Sequence, residues 1–211
     1  MRWERGFGVA ESVVSASGCD GVVARLDGIG RSRAGARHLL SLVADVADEL
    51  RPIAGGGVPF RATLFDKSAR ANWFVAWHQD TALPLRARTD APGWTSWSMK
   101  DGVLYAHAPA AALERVIAVR LHLDDSTPAN GPLRVIPGTH RLGVLSEDDV
   151  ARIAATSAAE DCLVARGGVV VMRPLLIHSS PRLETPTPRR VLHIEYAESL
   201  EILPGIELAA C

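Results

Sequence analysis

Apolar residues follow a helical spacing in one early segment of the chain. The segment SRAGARHLLSLVADVADEL, residues 32–50, carries them three or four positions apart, at Leu39, Val43, Val46 and Leu50. This spacing predicts an amphipathic helix, with Ser32 available as its N-cap. A second, shorter helix is expected to begin at Ser146, because acidic residues occupy the first turn of SEDDVARIAAT. Residues 7–30 fit neither a helical nor a strand pattern clearly.

Short segments that alternate or are rich in β-branched residues make up most of the remaining chain. They are separated by Gly and Pro and read PFRATLFD, NWFVAWHQD, VIAVRLHLD, LRVIP, GVVVM and RVLHIEY. Helices that come early and short strands that follow at intervals predict a mainly β fold with flanking helices. We expect an antiparallel sandwich or barrel with helices packed on one outer face.

Three of these segments have one largely apolar face and one mixed face with ionisable groups, since alternate residues of a strand point to opposite sides. Arg190 is the one charged residue on an apolar face, with Leu192, Ile194 and Tyr196. The mixed faces hold His78 and Asp80, then Arg120, His122 and Asp124, then Arg189, His193 and Glu195. In the first segment, Trp73, Val75 and Trp77 are expected to form the buried back of the strand. A sheet covered by helices on one side and enclosing a polar pocket on the other would produce this pattern.

Composition limits the classes of partner that the chain can have. At 211 residues, with 47% hydrophobic and 22% charged residues, it is typical of a globular protein, and we expect one domain over residues 1–211. A formal net charge of −1 argues against nucleic acid or an acidic membrane surface as a partner. The expected partner is therefore a small molecule, and the sequence leaves the oligomeric state open.

The cysteines and the apolar segments bear on localisation. Cys19, Cys162 and Cys211 form no CxxC pair and are odd in number, so they suggest neither a disulfide framework nor a zinc site. A reducing cytoplasm fits this usage best. The N-terminal residues show no signal-peptide pattern, and no window holds ~18 uninterrupted apolar residues, so we expect neither secretion nor membrane spanning.

The segment NWFVAWHQD ends in a pair of metal-ligating residue types. His78 and Asp80 lie two apart, so on a strand both point the same way and can reach one ion. A third ligand from a distant strand would complete a triad of two His and one carboxylate, as in non-heme Fe(II) oxygenases. A second HxD pair, His122 and Asp124, shows that one of the two pairs can be accidental. These residues alone leave open whether the first pair binds a metal or merely ends a strand.

Three segments in order give the pair a context. They are WHQD (77–80), NGPLRVIPGTHRLG (130–143) and MRPLLIHSSPRLETPTPRRVLHIEY (172–196). Together they resemble the phytanoyl-CoA dioxygenase family of Fe(II)- and 2-oxoglutarate-dependent oxygenases, over about residues 60–198. The resemblance implies a double-stranded β-helix, the cupin-like jelly roll. Its core would span about 56–200, after a helical N-terminal part of about 1–55.

The resemblance implies a set of metal ligands. His78, Asp80 and His178 would bind Fe(II). The second HxD pair falls a few residues before NGPLRVIPGTH, where the family has the strand that follows the metal-bearing one. The resemblance therefore implies that His122 and Asp124 are not metal ligands.

The resemblance also implies an anchor for 2-oxoglutarate. The family carries an Arg eleven residues beyond the distal His, on the last core strand, and this position is Arg189 here. Ser180, two residues past His178, matches a family position that helps to hold the same carboxylate. Arg190 is the alternative anchor if the apolar face of its strand is the barrel interior.

Other residues are weaker candidates. Arg120 and His122 lie on the mixed face, where they either touch substrate or co-substrate or are paired polar groups. Trp94 and Trp97 follow the HxD pair where the family often has a loop over the pocket, and Trp97 is taken as the substrate candidate. Packing in the core or exposure to solvent is equally compatible with both. Lys67 is expected to be solvated, with a pocket-facing position as the alternative.

The function implied is an oxygenase that uses Fe(II), 2-oxoglutarate and O₂ to hydroxylate a small organic substrate, with release of succinate and CO₂. Asp80 favours hydroxylation, because halogenating relatives need the carboxylate position vacated. The alternative is a non-catalytic or 2-oxoglutarate-independent cupin-like protein that binds a metal or small molecule; the combination of the triad, Ser180 and Arg189 argues against it. We expect a small polar or amphiphilic substrate, with an anionic group that meets Arg120 as one option.

Overall fold

The computed structural model describes residues 4–28 and 35–211. Its α-helices are α1 (Ala16–Gly28), α2 (Ala47–Leu50), α3 (Ala110–Leu113) and α4 (Glu147–Thr156). Short 3-10 helices span Leu40–Val46, Pro128–Asn130 and Thr139–Leu142. Within the described ranges, no helix is long and apolar enough to cross a membrane.

Within the described residues, fifteen strands form four antiparallel sheets. In chain order the strands are β1 (Phe7–Ala10), β2 (Gly35–Ala36), β3 (Val58–Lys67), β4 (Val75–His78), β5 (Ala82–Leu85), β6 (Thr95–Lys100), β7 (Val103–His107), β8 (Val116–His122), β9 (Leu133–Val135), β10 (Glu160–Cys162), β11 (Val169–Met172), β12 (His178–Ser180), β13 (Arg189–Ala197), β14 (Glu201–Leu203) and β15 (Ile206–Glu207). The large sheet has the order β1-β11-β8-β13-β3-β2, and the small sheet has the order β10-β9-β12-β4. Two accessory sheets, β5-β7-β6 and β14-β15, complete the set.

The inner faces of the large and small sheets pack against each other. Ala118, Val170 and Met172 of the large sheet form one buried cluster with Leu133 and Val135 of the small sheet. Long antiparallel pairings across β3, β13 and β8 keep the large sheet continuous. The predicted mainly β fold with flanking helices is confirmed.

The outer face of the large sheet carries the main hydrophobic core. Leu121 and Leu192 are paired across β8 and β13, and both are completely buried. Val22 of α1 and Val46 of the first 3-10 helix pack in the same cluster. The alternation predicted along β8 and β13 is therefore confirmed within the strands: their apolar faces meet helices, and Arg120, Arg189 and His193 point between the sheets. It fails at Asp124, which lies beyond the end of β8 and pairs with Arg190 on the other side of β13.

Helices cover both outer faces, whereas the sequence predicted only one covered face. Val150 of α4 packs with Ile136 and Ile177 on the outer side of the small sheet. The start of α4 at Ser146 is confirmed, since the Ser146 hydroxyl accepts a hydrogen bond of 3.1 Å from the backbone N–H of Asp149.

The helix predicted over residues 32–50 differs from the structure. Residues 40–46 form a 3-10 helix, and only α2 that follows is α-helical. A 3-10 helix also places residues three apart on one side, so the four apolar residues of the pattern are still buried: Leu39, Val43, Val46 and Leu50. Ser32 lies outside the described residues. The unclear segment 7–30 contributes β1 and α1.

A bulge in β4 overturns part of the parity argument for that strand. His78 pairs with His178 and Val75 pairs with Ser180, so three steps along β4 match two along β12. A bulge of this kind reverses the alternation beyond it. Trp73 and Val75 consequently line the inner pocket beside His78, and the expectation that they form the strand's outer back is wrong. Trp77 does pack on the outer side, in the cluster under α4.

Removing a side chain from the core between the large sheet and the helices tests its contribution. Leu121→Ala leaves a cavity at a fully buried position, so we expect the free energy of unfolding to fall by about 2–5 kcal/mol in urea denaturation. Leu142→Ala is the matched control, because that side chain is 53% exposed. Equal losses in the two variants would contradict this description of the core.

Candidate metal centre

Three metal-ligating side chains converge where β4 meets β12. His78 ends β4, Asp80 follows it by two residues, and His178 begins β12. One ligand atom of each residue lies within 4.8 Å of the other two. The Nε2 atoms of His78 and His178 lie 3.6 and 3.4 Å from the two carboxylate oxygens of Asp80. In the part of the chain that the structure describes, this is the one such group of three.

Backbone carbonyls orient both imidazoles. The Nδ1–H of His78 donates to the carbonyl of Ala76, and that of His178 donates to the carbonyl of Leu176, each at 2.8 Å. With the proton assigned to Nδ1, each Nε2 keeps its lone pair and presents it towards Asp80. Burial lowers the pKa of His178 to about 4, which also favours its neutral form. The two imidazoles and the carboxylate thus have the donor atoms and the orientation that a divalent cation requires.

Gln79 fixes the backbone between the first two members of the group. Its buried amide donates to the carbonyls of Leu175 and Gly143, at 2.7 and 2.9 Å, and its oxygen accepts from the N–H of Leu145 at 2.9 Å. All the hydrogen-bonding positions of the side chain except one oxygen lone pair are therefore used. Sequence reasoning missed this residue. The available signal was its position, since the residue between two inward side chains must point outward.

A buried pocket rich in cations adjoins the three residues. Lys67, Arg120 and Arg189 are 1%, 6% and 2% exposed and line it together with Ser180. The ammonium of Lys67 lies 2.7 Å from Ser180 Oγ, and Arg189 Nη2 donates to the same oxygen at 3.1 Å. The Ser180 hydroxyl in turn donates to the carbonyl of Gly131 at 2.8 Å.

These cations have no carboxylate partner in the part of the chain that the structure describes. Over residues 4–28 and 35–211, no carboxylate lies within 4.0 Å of Lys67, Arg120 or Arg189. Arg189 Nη1 has no hydrogen-bond partner among the described atoms. Burial and the neighbouring arginines lower the pKa of Lys67 to about 7, and burial and Arg120 lower that of Arg189 to about 9. The default expectation of a solvated Lys67 is wrong, and the pocket has the charge and the free donors to take an anion.

Arg190 and Asp124 pair with each other, and His122 is not among the residues that line the pocket. The guanidinium of Arg190 donates two hydrogen bonds to the carboxylate of Asp124, from Nη2 to Oδ1 at 2.6 Å and from Nε to Oδ2 at 2.7 Å. The guanidinium therefore sits on the side of β13 opposite to Arg189, and the structure does not bring it to the pocket. His122 is completely buried, and neither ring nitrogen has a partner among the described residues.

Trp97 and Trp94 lie away from the pocket. Trp97 is in β6, packed against the cluster beneath the accessory sheet, and the guanidinium of Arg88 lies 5.2 Å above its ring. Trp94 is buried in the same cluster. The structure thus separates Trp97, which the sequence offered as a substrate contact, from the His–Asp–His group. Trp73 lines the pocket instead, because of the bulge in β4.

The fold and the residue group define a class of protein, a jelly roll with a His–Asp–His centre between its sheets. Residues 29–191 match the model of the phytanoyl-CoA dioxygenase family. The chain therefore belongs to that family, and the resemblance noted in the sequence is confirmed.

The proteins similar to the chain include a curated relative and several solved structures. L-proline trans-4-hydroxylase of Streptomyces griseoviridis is 27% identical over 163 residues, which are 65% of this chain and 52% of that protein. The match thus spans about half the length of this relative.

The solved structures share the fold. AviO1 from Streptomyces viridochromogenes Tue57 aligns with a TM-score of 0.64 and 23% identity, over 92% of this chain and 90% of that chain. HygX from Streptomyces hygroscopicus, with nickel and 2-oxoglutarate bound, gives 0.64 and 16%, over 93% and 84%. EctD from S. alaskensis with bound Fe gives 0.65 and 20%, over 92% and 73%. The expected jelly-roll fold is confirmed by these likenesses.

The buried position of Lys67 predicts a dependence of stability on pH. The folded protein releases this proton from about pH 7, whereas the unfolded chain keeps it to the ordinary lysine value of 10.5. Between these values the unfolded state binds more protons, so this residue makes the free energy of unfolding rise with pH. Its unfavourable contribution is complete below about pH 7 and fades towards pH 10.5.

Lys67→Met removes the titrating group. We expect the variant's stability advantage over the parent to shrink as the pH rises, in urea denaturation at about pH 6, 8 and 10. A difference between variant and parent that stays constant over this range would show that Lys67 keeps an ordinary pKa in the folded protein.

Proposed function

We propose that this protein is an Fe(II)- and 2-oxoglutarate-dependent oxygenase that hydroxylates a small organic substrate. One observation supports the proposal: a His–Asp–His group with both Nε2 atoms presented lies beside a buried pocket whose three cations have no described carboxylate within 4.0 Å. The first feature suits a divalent metal, and the second suits a dicarboxylate next to it.

The proposed iron ligands are His78, Asp80 and His178. Two imidazole nitrogens and one carboxylate form the donor set of non-heme Fe(II) oxygenases, which leaves positions on the metal open for co-substrate and O₂. The tautomers fit this role, because both Nδ1–H groups are already used by backbone carbonyls. Outer hydrogen bonds of this kind fix the ring orientation of metal-binding histidines.

The proposed anchor for 2-oxoglutarate is Arg189, with Ser180 and Lys67. A guanidinium offers a planar pair of donors to a carboxylate, and Arg189 Nη1 is free for it among the described atoms. The Ser180 hydroxyl already accepts hydrogen bonds from Lys67 of β3 and Arg189 of β13. An anion bound beside Ser180 would therefore meet donors from both strands. Arg190 is not available for this role, since Asp124 holds it.

The proposed reaction converts substrate R–H, O₂ and 2-oxoglutarate into R–OH, succinate and CO₂. Bound iron supplies the redox chemistry. The protein binds and orients the reactants, and Phe65, Trp73 and Val75 line the pocket with apolar surface that limits access of water. Asp80 occupies the carboxylate position that halogenating relatives leave vacant, which favours hydroxylation.

The proposed substrate site is a groove outside the pocket. A cavity of about 990 Å³ lies between β4 and α4, lined by Phe74, Trp77 and Val150 among others. His78 lines this groove and the inner pocket alike, so a molecule in the groove would lie next to the metal ligands. Its lining is largely apolar, which suits a small organic molecule. The relative from S. griseoviridis is named for L-proline, and HygX has also been solved with hygromycin B, so the substrate class stays broad.

Residues 1–211 are proposed to form one dioxygenase domain, which is supported by contacts near both ends of the chain: β1 pairs with β11, and Cys211 donates to the carbonyl of Phe60. A cytoplasmic location is supported by three free cysteines. A binder without turnover, or one independent of 2-oxoglutarate, is disfavoured because it has no use for an anchor of buried cations.

Anaerobic titration of the Fe(II)-loaded protein with 2-oxoglutarate tests the proposal. Chelation of iron by a 2-oxo acid gives a weak visible charge-transfer band, and we expect this band in the parent. Arg189→Met removes a charge-assisted contact of about 1.5–3 kcal/mol, so the concentration of 2-oxoglutarate needed should rise about 10- to 100-fold. Arg190→Met is the matched control, and it should lower stability but leave the titration unchanged.

Two results would contradict the proposal. The first is the absence of a band in protein shown to contain one iron per chain. The second is a shift of the titration in Arg190→Met that equals the shift in Arg189→Met, since only Arg189 faces the pocket.

A further inference from the structure

Arg120 is a third cation of the inner pocket, and the anchor described above does not use it. It lies in β8, a central strand of the large sheet, and is 6% exposed. It lines the same pocket as His78, Asp80 and His178. Its guanidinium thus faces the metal ligands from the opposite sheet.

The contacts of Arg120 hold it in place without neutralising it. Nη1 lies 3.0 Å from Nδ1 of His193, which is the residue of β13 paired with Arg120. The guanidinium lies over the Phe65 ring, 5.1 Å from its centre. His193 accepts this hydrogen bond and is therefore neutral. Nε of Arg120 has no hydrogen-bond partner among the described atoms. The side chain is oriented, buried and still has donors to offer.

A count of charges shows that the proposed ligands leave Arg120 uncompensated. Asp80 and the carboxylate of 2-oxoglutarate that binds the metal together balance the two charges of Fe(II). The distal carboxylate balances Arg189, and Lys67 has a pKa of only about 7. One buried guanidinium remains, and a buried charge without a partner is strongly unfavourable.

We propose that Arg120 is a second carboxylate-binding residue, separate from the anchor at Arg189. The inference rests on the proposed function, since it places a carboxylate in the same pocket. This carboxylate has two sources to distinguish: the metal-proximal carboxylate of 2-oxoglutarate, shared between the metal and Arg120, or a carboxylate of the substrate that extends from the groove past His78, which lines both the groove and the pocket. Both sources give Arg120 the same chemistry, and binding measurements separate them.

Arg120→Met is the informative variant. It keeps the apolar length of the side chain and removes the charge and donors. If Arg120 serves a ligand, the unliganded variant should be at least as stable as the parent, because an unpaired buried charge has been removed. If Arg120 serves only to hold His193, the variant should be less stable. Arg134→Met is the matched control, since Arg134 is partly exposed and pairs with Asp161 on the neighbouring strand.

Calorimetric titration of Ni(II)-loaded protein measures binding without turnover. The first arm compares 2-oxoglutarate with 2-oxobutyrate, which has the metal-proximal carboxylate but no distal one. If that carboxylate meets Arg120, Arg120→Met should weaken both acids about 10- to 100-fold. Arg189→Met should weaken 2-oxoglutarate alone.

The second arm addresses the substrate. Protein saturated with Ni(II) and 2-oxoglutarate is titrated with L-proline and with L-prolinamide, chosen because a relative is named for L-proline. If the substrate supplies the carboxylate, the parent should prefer the acid to the amide, and Arg120→Met should lose that preference while binding both 2-oxo acids as the parent does.

The inference is overturned if Arg120→Met matches the parent in both arms, or if the variant holds Ni(II) but is less stable and binds all four compounds normally. Failure of the proposed function looks different, because the parent itself would then not bind 2-oxoglutarate in the presence of the metal. Arg134→Met should match the parent throughout, and a loss of binding in this control equal to that of Arg120→Met would also overturn the inference.

Discussion

The pairing of β4 with β12 is the constraint on which the site depends. It places His178 opposite His78, although the two residues lie 100 positions apart in the chain. The bulge in this pairing then turns Val75 and Trp73 to the same side as His78. Without the bulge, alternation would turn Val75 and Trp73 away from the pocket. Gln79, tied to three backbone groups, keeps the turn from His78 to Asp80 fixed.

The large sheet supplies the complementary half of the site. Its inner face carries Lys67, Arg120 and Arg189, all buried and all without a carboxylate partner in the described ranges. Such groups are costly to bury, so a protein that keeps three of them together is organised around an anion. Arg190 differs from these three cations, because Asp124 neutralises it on the outer side of β13. Folding thus places two adjacent arginines in different roles: Arg190 is in a structural ion pair, and Arg189 has no described carboxylate partner.

Much of this arrangement could be predicted from the sequence, because strand parity depends only on backbone geometry. Alternation along β13 correctly separated Arg189 from Arg190, although parity misplaced Asp124, which lies beyond the end of β8. Parity failed at β4, since a bulge depends on its partner strand and leaves no local signal. Lys67 was assigned to solvent although it has the parity of Phe65, which also lines the pocket. Trp97 was expected near the pocket because of its position in the chain, but it lies in the β5-β7-β6 sheet and packs against a different cluster.

The central claim is that His78, Asp80 and His178 hold iron together. Anomalous scattering at the iron edge, from crystals prepared anaerobically with Fe(II) and 2-oxoglutarate, tests it most directly. The account predicts one strong peak in bonding contact with Nε2 of both histidines and with a carboxylate oxygen of Asp80. A peak at other residues, or none at these three in protein shown to contain iron, would contradict it.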